Sequence, residues 1–441
     1  MKLLRIIVAV VEVVVCLWLL LEIGLRIYVE SPLKTDFYGS IARGQVRDLQ
    51  ERFGIKIAGG AGWIHLGWIA DPENETYIIE NKFDGLWKKI GETNYGSFLV
   101  YDLSGKFRII ALAKNGRSSR ILGEVSASTG KLIAPIYKPV IAGPWKPLFR
   151  PETSGYYIND HTVFQDAEGN WRLLGITHRS DGNYSEEKYF ASGFSAAFPQ
   201  AEKMLESDPV ADFGELAWAP DVIDDRGTYF LFWSPHRLER MMSKDGINWS
   251  DRKTVIQTPF NKFFRDAMIF RVTGGQWLLY TTARSLFFSQ VDLYQSFDLE
   301  GWQYIGSALQ TSWGSERNSP FASTESPFLM QYKGRYYLSI TYNNDTFFWN
   351  GLLLPFKIWP DRASYNETLV FQSDNPYDFG VYRGKSNTSS LLTTLEAHAP
   401  EYVFVEEKDQ WYITTAGWPW ISTLTSGEVA YAPLTWEPLR K

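Results

Sequence analysis

The stretch RDAMIFRVTGGQWLLYTTA, residues 265–283, reads as an acid, a short apolar strand, a Gly-Gly turn and an aromatic residue that opens a second strand. The same order returns four more times, as NDHTVFQDAEGNWRLLGITH (159–178), WAPDVIDDRGTYFLFW (218–233), ESPFLMQYKGRYYLSITY (325–342) and HAPEYVFVEEKDQWYITTAG (398–417). Asp160, Asp221, Asp266, Glu325 and Glu401 head the five copies, and Trp171, Tyr229, Trp277, Tyr336 and Trp411 follow 8 to 11 residues later. Successive acids stand 45 to 76 residues apart, which leaves room for four strands and variable loops in each interval. SKDGINW (243–249), SFDLEGW (296–302) and APLTW (432–436) mark outer halves of the same unit, each ending on Trp. Five such sheets set radially form a five-bladed β-propeller over residues 150–441, a closure that leaves no long sheet edge exposed. An acid at one position of every blade places five carboxylates around one axis.

Residues 35–148 lack the repeat. Gln45–Phe53 has the spacing of a short amphipathic helix, and Gly96–Ala113 and Ser119–Ala127 alternate as antiparallel strands do. This is a small β-rich accessory domain, either a spacer or a wall of the pocket rim, and the proline-rich stretch Lys138–Gly155 is the expected boundary. Lys2 and Arg5 precede an apolar run from Ile6 to Leu21, so residues 1–30 read as an uncleaved signal anchor, with a cleaved signal peptide as the alternative that Glu12 in mid-segment keeps open. The expected fold is all-β, a five-bladed β-propeller preceded by a small β-rich domain and an N-terminal membrane anchor helix. Its body is expected outside the cytoplasm, held to the membrane by that helix. A net charge of −6 without a basic run gives no reason to expect nucleic acid. The single cysteine, Cys16, lies in the apolar segment, so the folded part has neither disulfide nor thiol chemistry. Aromatic residues at 16% suit both blade packing and a carbohydrate surface.

Cleavage of a glycosidic bond needs one protonated carboxyl at the leaving oxygen and a second carboxylate that activates water or attacks the anomeric carbon. Neighbouring blades supply such pairs, and differing environments push their pKa values apart. At these residues the chain resembles the five-bladed glycoside hydrolase superfamily of families 43, 62, 32 and 68, over about residues 150–440. Asn159-Asp160 resembles the first-blade Asn-Asp, whose Asp is base or nucleophile. Arg265-Asp266 resembles the Arg-Asp whose Asp holds sugar hydroxyls and tunes the acid, and Glu325-Ser326-Pro327 resembles the Glu-x-Pro that supplies the general acid. Trp218-Ala219-Pro220-Asp221 looks like family 43, whereas Arg265 leans toward the fructan families. His161-Thr162-Val163 stands where the fructan families carry Pro-Asn-Gly.

The resemblance implies a hydrolase of furanosyl or xylosyl linkages with Asp160, Asp266 and Glu325 catalytic, and a fructan-type hydrolase, a transglycosylase or a non-catalytic carbohydrate-binding propeller as alternatives. Asn159, Trp218, Asp221, Arg265, His398 and Glu401 are the expected substrate-binding residues, with Asp221 and Glu401 also open to a structural reading. Trp313, Trp349 and Trp418 lie in segments expected at the pocket mouth. His161 follows Asp160 on an alternating strand and is expected to face away from the axis. No cofactor is required. His398 has two readings, a ligand of a central calcium ion, as a blade-five histidine is in some family 43 relatives, or a hydrogen-bonded inner-strand histidine. The partner is an oligo- or polysaccharide.

Overall fold

The computed structural model describes Val13, Val15–Leu17 and residues 43–439, apart from 72–74, 114–115, 117, 131–134, 181–183, 200–202, 211, 258–263, 285–288, 311–322, 344–364, 381–390 and 420–421. Five antiparallel sheets follow one another along the chain. The first four each hold four strands in sequence order, running from the axis outward. Blade one is Tyr156–Gln165, Trp171–Arg179, Phe190–Ser195 and Leu205–Val210, and blade two is Trp218–Asp224, Tyr229–Ser234, Arg237–Ser243 and Ser250–Gln257. Blade three is Phe264–Val272, Gln276–Arg284, Ser289–Ser296 and Gln303–Gln310, and blade four is Ser323–Tyr332, Arg335–Asn343, Glu367–Ser373 and Leu391–Glu396.

Blade five is closed by chain from the other end. Tyr402–Val405, Gln410–Thr415 and Val429–Pro438 take Tyr137–Ile141 as their outermost strand, and Lys146–Phe149 pairs with the start of Val429–Pro438. The propeller therefore begins at residue 137, inside the stretch that sequence alone assigns to the accessory domain. Proline marks those two strands as non-strand by propensity, but an outermost strand tolerates it because one side of its backbone needs no partner.

Second strands such as Tyr229–Ser234 are buried on both faces, as sheets packed between two neighbours require, while outermost strands such as Ser250–Gln257 are largely exposed. Phe232, Leu238, Leu279 and Trp302 form one inter-blade layer, and Leu278, Val291, Leu338 and Ile340 form the next. All eight are at most 0% exposed, so each blade seals against the one before it.

The accessory domain has its own core. Helix Arg43–Phe53 precedes a three-stranded sheet of Lys56–Gly60, Trp63–Gly67 and Ser97–Tyr101, and a four-stranded sheet follows from Glu75–Phe83, Leu86–Thr93, Gly105–Ala113 and Ser119–Ala127. Ile64, Leu66, Tyr77, Ile79, Phe107 and Ile109 fill the space between them. Each inner strand enters the propeller from the acid-bearing side, so the turns after first and third strands lie on the far face. The accessory domain docks there. Gly274, in such a turn of blade three, has φ +97°, and a Cβ on it would lie 2.3 Å from the Ile57 carbonyl oxygen. Gln295 donates to the Gly96 carbonyl at 2.7 Å, Gln303 to that of Ala70 at 3.1 Å, and the Trp63 indole to that of Asp374 at 2.7 Å. The accessory domain thus covers the face opposite the acids rather than forming a wall of the pocket.

The expected anchor lies almost wholly outside the described residues. Among those described, no helix is long and apolar enough to cross a membrane.

Candidate active site

The inner strands share one irregularity, and it decides where every acid points. Register against the second strand slips between Asn159 and His161, Trp218 and Asp221, Arg265 and Met268, and Glu325 and Phe328. Ala219, Asp266 and Ser326 occupy the left-handed region inside these bulges at φ +47°, +58° and +47°, and Ala399 does the same in blade five at +43°. A bulge breaks period-two alternation and re-aims the side chains around it.

The five acids are consequently not at one structural position. Asp160 and Asp266 sit within the bulge, Glu325 immediately before it, and Asp221 and Glu401 immediately after it. Residues after the bulge, His161, Asp221, Met268, Phe328 and Glu401, line a small axial cavity of about 40 Å³ together with Asp160, Asp266 and Ser326. His161 therefore faces the axis, contrary to simple alternation, and lies 2.7 Å from Thr414 Oγ1 through Nε2.

Three of the acids converge above that cavity. The Ser326 hydroxyl donates to Asp160 Oδ1 at 2.7 Å, while the Ser326 backbone N–H donates to Asp266 Oδ2 at 3.1 Å. Arg265 donates from Nη2 to Glu325 Oε1 at 2.7 Å and places Nη1 3.6 Å from Asp266 Oδ2. One serine thus joins Asp160 to Asp266, and one guanidinium joins Asp266 to Glu325. Burial pushes Asp160 up to about 6, helped by the Glu325 charge and opposed by the Ser326 hydrogen bond and Arg265. Burial likewise pushes Asp266 up to about 7, against the pull of Arg265 and with the repulsion of Asp160 and Glu325. Burial opposes the charge on Arg265, but Asp266 and Glu325 outweigh it, so the guanidinium stays cationic. Three carboxyls facing one cation cannot all ionise cheaply, and the cluster retains a proton near neutrality.

Asp221 and Glu401, expected at the sugar, are placed on backbone groups of the next blade. Asp221 Oδ2 accepts from Ile269 N at 2.6 Å and Glu401 Oε2 from Val163 N at 2.7 Å. Burial raises Asp221 to about 7 and holds Glu401 well above the carboxylate range, with the Asp221 charge adding to the latter. Asn159 is buried beside Asp160, and its Oδ1 has no hydrogen-bond partner among the described residues. His398 is buried, its ring stacked on Tyr365 at 3.8 Å and its Nδ1 2.8 Å from the Tyr365 carbonyl oxygen. Burial lowers its pKa, against the pull of the Glu325 charge and the Tyr365 carbonyl. Calcium takes six to eight oxygen ligands. His398 offers one nitrogen, and no group of three His, Cys, Asp or Glu is arranged to hold an ion among the described residues.

Two neighbours of the acids carry no sequence signal. Glu187, in the loop between the second and third strands of blade one, is 1% exposed and accepts a short hydrogen bond from the Tyr157 hydroxyl. Burial raises it to about 7, the Asp160 charge adds to this, and the Trp218 and Trp418 side chains flank it. In the sequence Glu186-Glu187 looks like a solvated loop. Tyr365 is buried between His398 and Trp418, with rings at 3.8 and 6.2 Å. Trp418 is thus near the site, while Trp313 and Trp349 lie outside the described residues.

No protein-family profile matches the chain, and no curated protein matches it. Among solved structures, a thermostable family-43 glycoside hydrolase is 16% identical, with a TM-score of 0.45, over 65% of this chain and 92% of that one. A Bombyx mori family-32 β-fructofuranosidase is 15% identical, with a TM-score of 0.43, over 65% of each chain. An α-L-arabinofuranosidase from Podospora anserina, solved with cellotriose, is 12% identical, with a TM-score of 0.43, over 67% of this chain and 97% of that one. At these values the chemistry of this chain has to come from its own carboxylates.

Proposed function

We propose that this chain is a glycoside hydrolase of furanosyl or xylosyl linkages. The observation that carries the proposal is the convergence of Asp160, Asp266 and Glu325 on one serine and one guanidinium. Glu325 is reachable, with its side chain 15% exposed, and gives the proton to the leaving oxygen. Asp160 activates water or attacks the anomeric carbon, for which it must be ionised. Asp266 is 2% exposed and acts on the sugar hydroxyls and on its neighbours' charge through Arg265. For leaving-group departure the proton the three crowded carboxyls retain has to sit on Glu325 rather than on Asp160 or Asp266. Asn159 offers an unused acceptor for a sugar hydroxyl next to the attacking group. The apolar segment 6–21 adds that the substrate is met outside the cytoplasm, with the chain held at a membrane.

Leaving groups separate this enzyme from a binding module. Changing Glu325→Ala should reduce cleavage of unactivated linkages by at least about 10²–10⁴-fold, the usual share of one general acid. Aryl glycosides, whose phenol departs without a proton, should keep more of their rate. Asp160→Ala should fail on both. Equal losses for Glu325→Ala on the two substrates would remove the acid role. Absence of turnover of any furanoside or xyloside by the wild type would leave a carbohydrate-binding propeller.

A further inference from the structure

Blade one carries a second hollow on the acid-bearing face. It measures about 410 Å³ and is lined by Tyr156, Thr177, Tyr189, Glu152, Glu206 and Asp208, among others. That volume lies within the range of small-molecule sites. Tyr156 heads the strand that bears Asp160 four residues later, which sets the hollow roughly 13 Å from the reacting carboxyl. Its neighbour Tyr157 holds Glu187 beside the acids, so one strand connects the two places.

The lining suits a sugar more than other ligands. Tyr156 and Tyr189 both line the hollow and present two half-buried rings. Flat rings take the apolar faces of sugars, and carboxylates accept from their hydroxyls. Glu152, Glu206 and Asp208 supply those acceptors, and among the described residues no lysine or arginine lines the hollow. Anionic saccharides and phosphates are therefore disfavoured, whereas neutral ones are not. The wall is preformed: Glu206 Oε2 accepts from Glu152 N at 2.7 Å, and Ser180 N donates to the Gly155 carbonyl at 2.7 Å.

We infer that this hollow is a remote subsite for a neutral oligosaccharide, holding distal units of the chain whose scissile bond lies at Asp160 and Glu325. The inference rests on the glycosidase reading. Binding far from the reacting bond raises catalytic efficiency on long substrates without touching the chemistry on short ones.

The test uses the full chain, linear xylo- and arabino-oligosaccharides of two to six units, and the matching aryl glycosides. Efficiency of the wild type should rise with length, and Tyr156→Ala/Tyr189→Ala should lose that rise, by about 2- to 12-fold per ring. Tyr189→Phe, which keeps the ring, should retain most of it, and aryl glycosides should be hydrolysed at the wild-type rate by both variants. Calorimetric binding of the hexasaccharides to Glu325→Gln, with and without the tyrosine changes, reads the same contact without turnover. Aryl turnover with unchanged length dependence in a folded double alanine variant would overturn the subsite and leave the glycosidase reading intact. Hexasaccharide binding indifferent to the tyrosines would overturn it as well. No turnover and no binding at all would remove both.

Discussion

Glu325 and Glu401 stand in nearly the same sentence of the repeat, one as Glu-Ser-Pro and the other as Ala-Pro-Glu. One precedes the bulge and the other follows it. Glu325 meets a guanidinium and remains reachable, whereas Glu401 is buried on the backbone N–H of the next blade. Asp266 and Asp221 repeat the contrast in blades three and two, where Asp266 meets Arg265 and Ser326 and Asp221 accepts from Ile269. In this chain an acid therefore joins the Arg265 and Ser326 cluster or takes a backbone N–H of the next blade according to its register against the bulge, not according to its place in the motif.

The largest effect expected of that contrast is in turnover. Asp160→Asn removes the proposed attacking group at nearly constant shape and should cost at least about 10⁴-fold, as loss of a nucleophile or its base does. Asp221→Asn, on the same axis but below the bulge, should leave kcat/KM within a few-fold. Steady-state kinetics on one aryl glycoside compares them, and a comparable loss in the two would mean that the axial cavity takes part in the reaction.

Stability should show the reverse. Asp221→Ala strands the Ile269 N–H and should cost about 1–3 kcal/mol. Asp221→Asn keeps an acceptor oxygen and should cost less than the alanine at neutral pH. The two states also differ in protons. The folded chain raises Asp221 to about 7 from an unfolded value near 3.8, so between those values the folded state holds a proton that the unfolded state has lost. Its contribution is complete below about pH 4 and is lost as pH rises through 7. Denaturant midpoints of the wild type should thus climb from pH 8 to pH 5 relative to those of Asp221→Asn. Parallel midpoints would show that Asp221 is ionised in the fold.

Much of the fold could be read from the chain because each blade restates the same strand, turn and aromatic. Trp277 and Tyr336 are buried where their spacing places them. The parts that escaped depend on geometry without a composition signal. Ala219-Pro220 and Asp266-Ala267 form the same bulge, and nothing in either pair says that alternation stops there. The closing strand Tyr137–Ile141 is separated by the rest of the propeller from the strand it pairs with, and its proline argues against it locally. Gln295 and Gln303 look like surface residues until the accessory domain supplies carbonyls for their amides. Glu187 is legible only through its burial.

The smallest change that sharpens the contrast is Ser326→Ala. Alanine occupies the equivalent bulge position in blades two and five, at φ +47° for Ala219 and +43° for Ala399, against +47° for Ser326. The substitution therefore adds no backbone strain, and the Ser326 N–H still reaches Asp266. What disappears is the hydroxyl that donates to Asp160 Oδ1. That bond favours the ionised carboxylate and works against the burial that has already raised Asp160 to about 6. Without it the pKa of Asp160 rises further, so the acidic limb of kcat/KM should move to higher pH, by on the order of one unit. Activity should fall up to about tenfold below the limb and change little on the plateau above it. An acidic limb that stays in place, in a variant with wild-type thermal stability, would mean that the group whose ionisation starts the reaction is not the one held by Ser326.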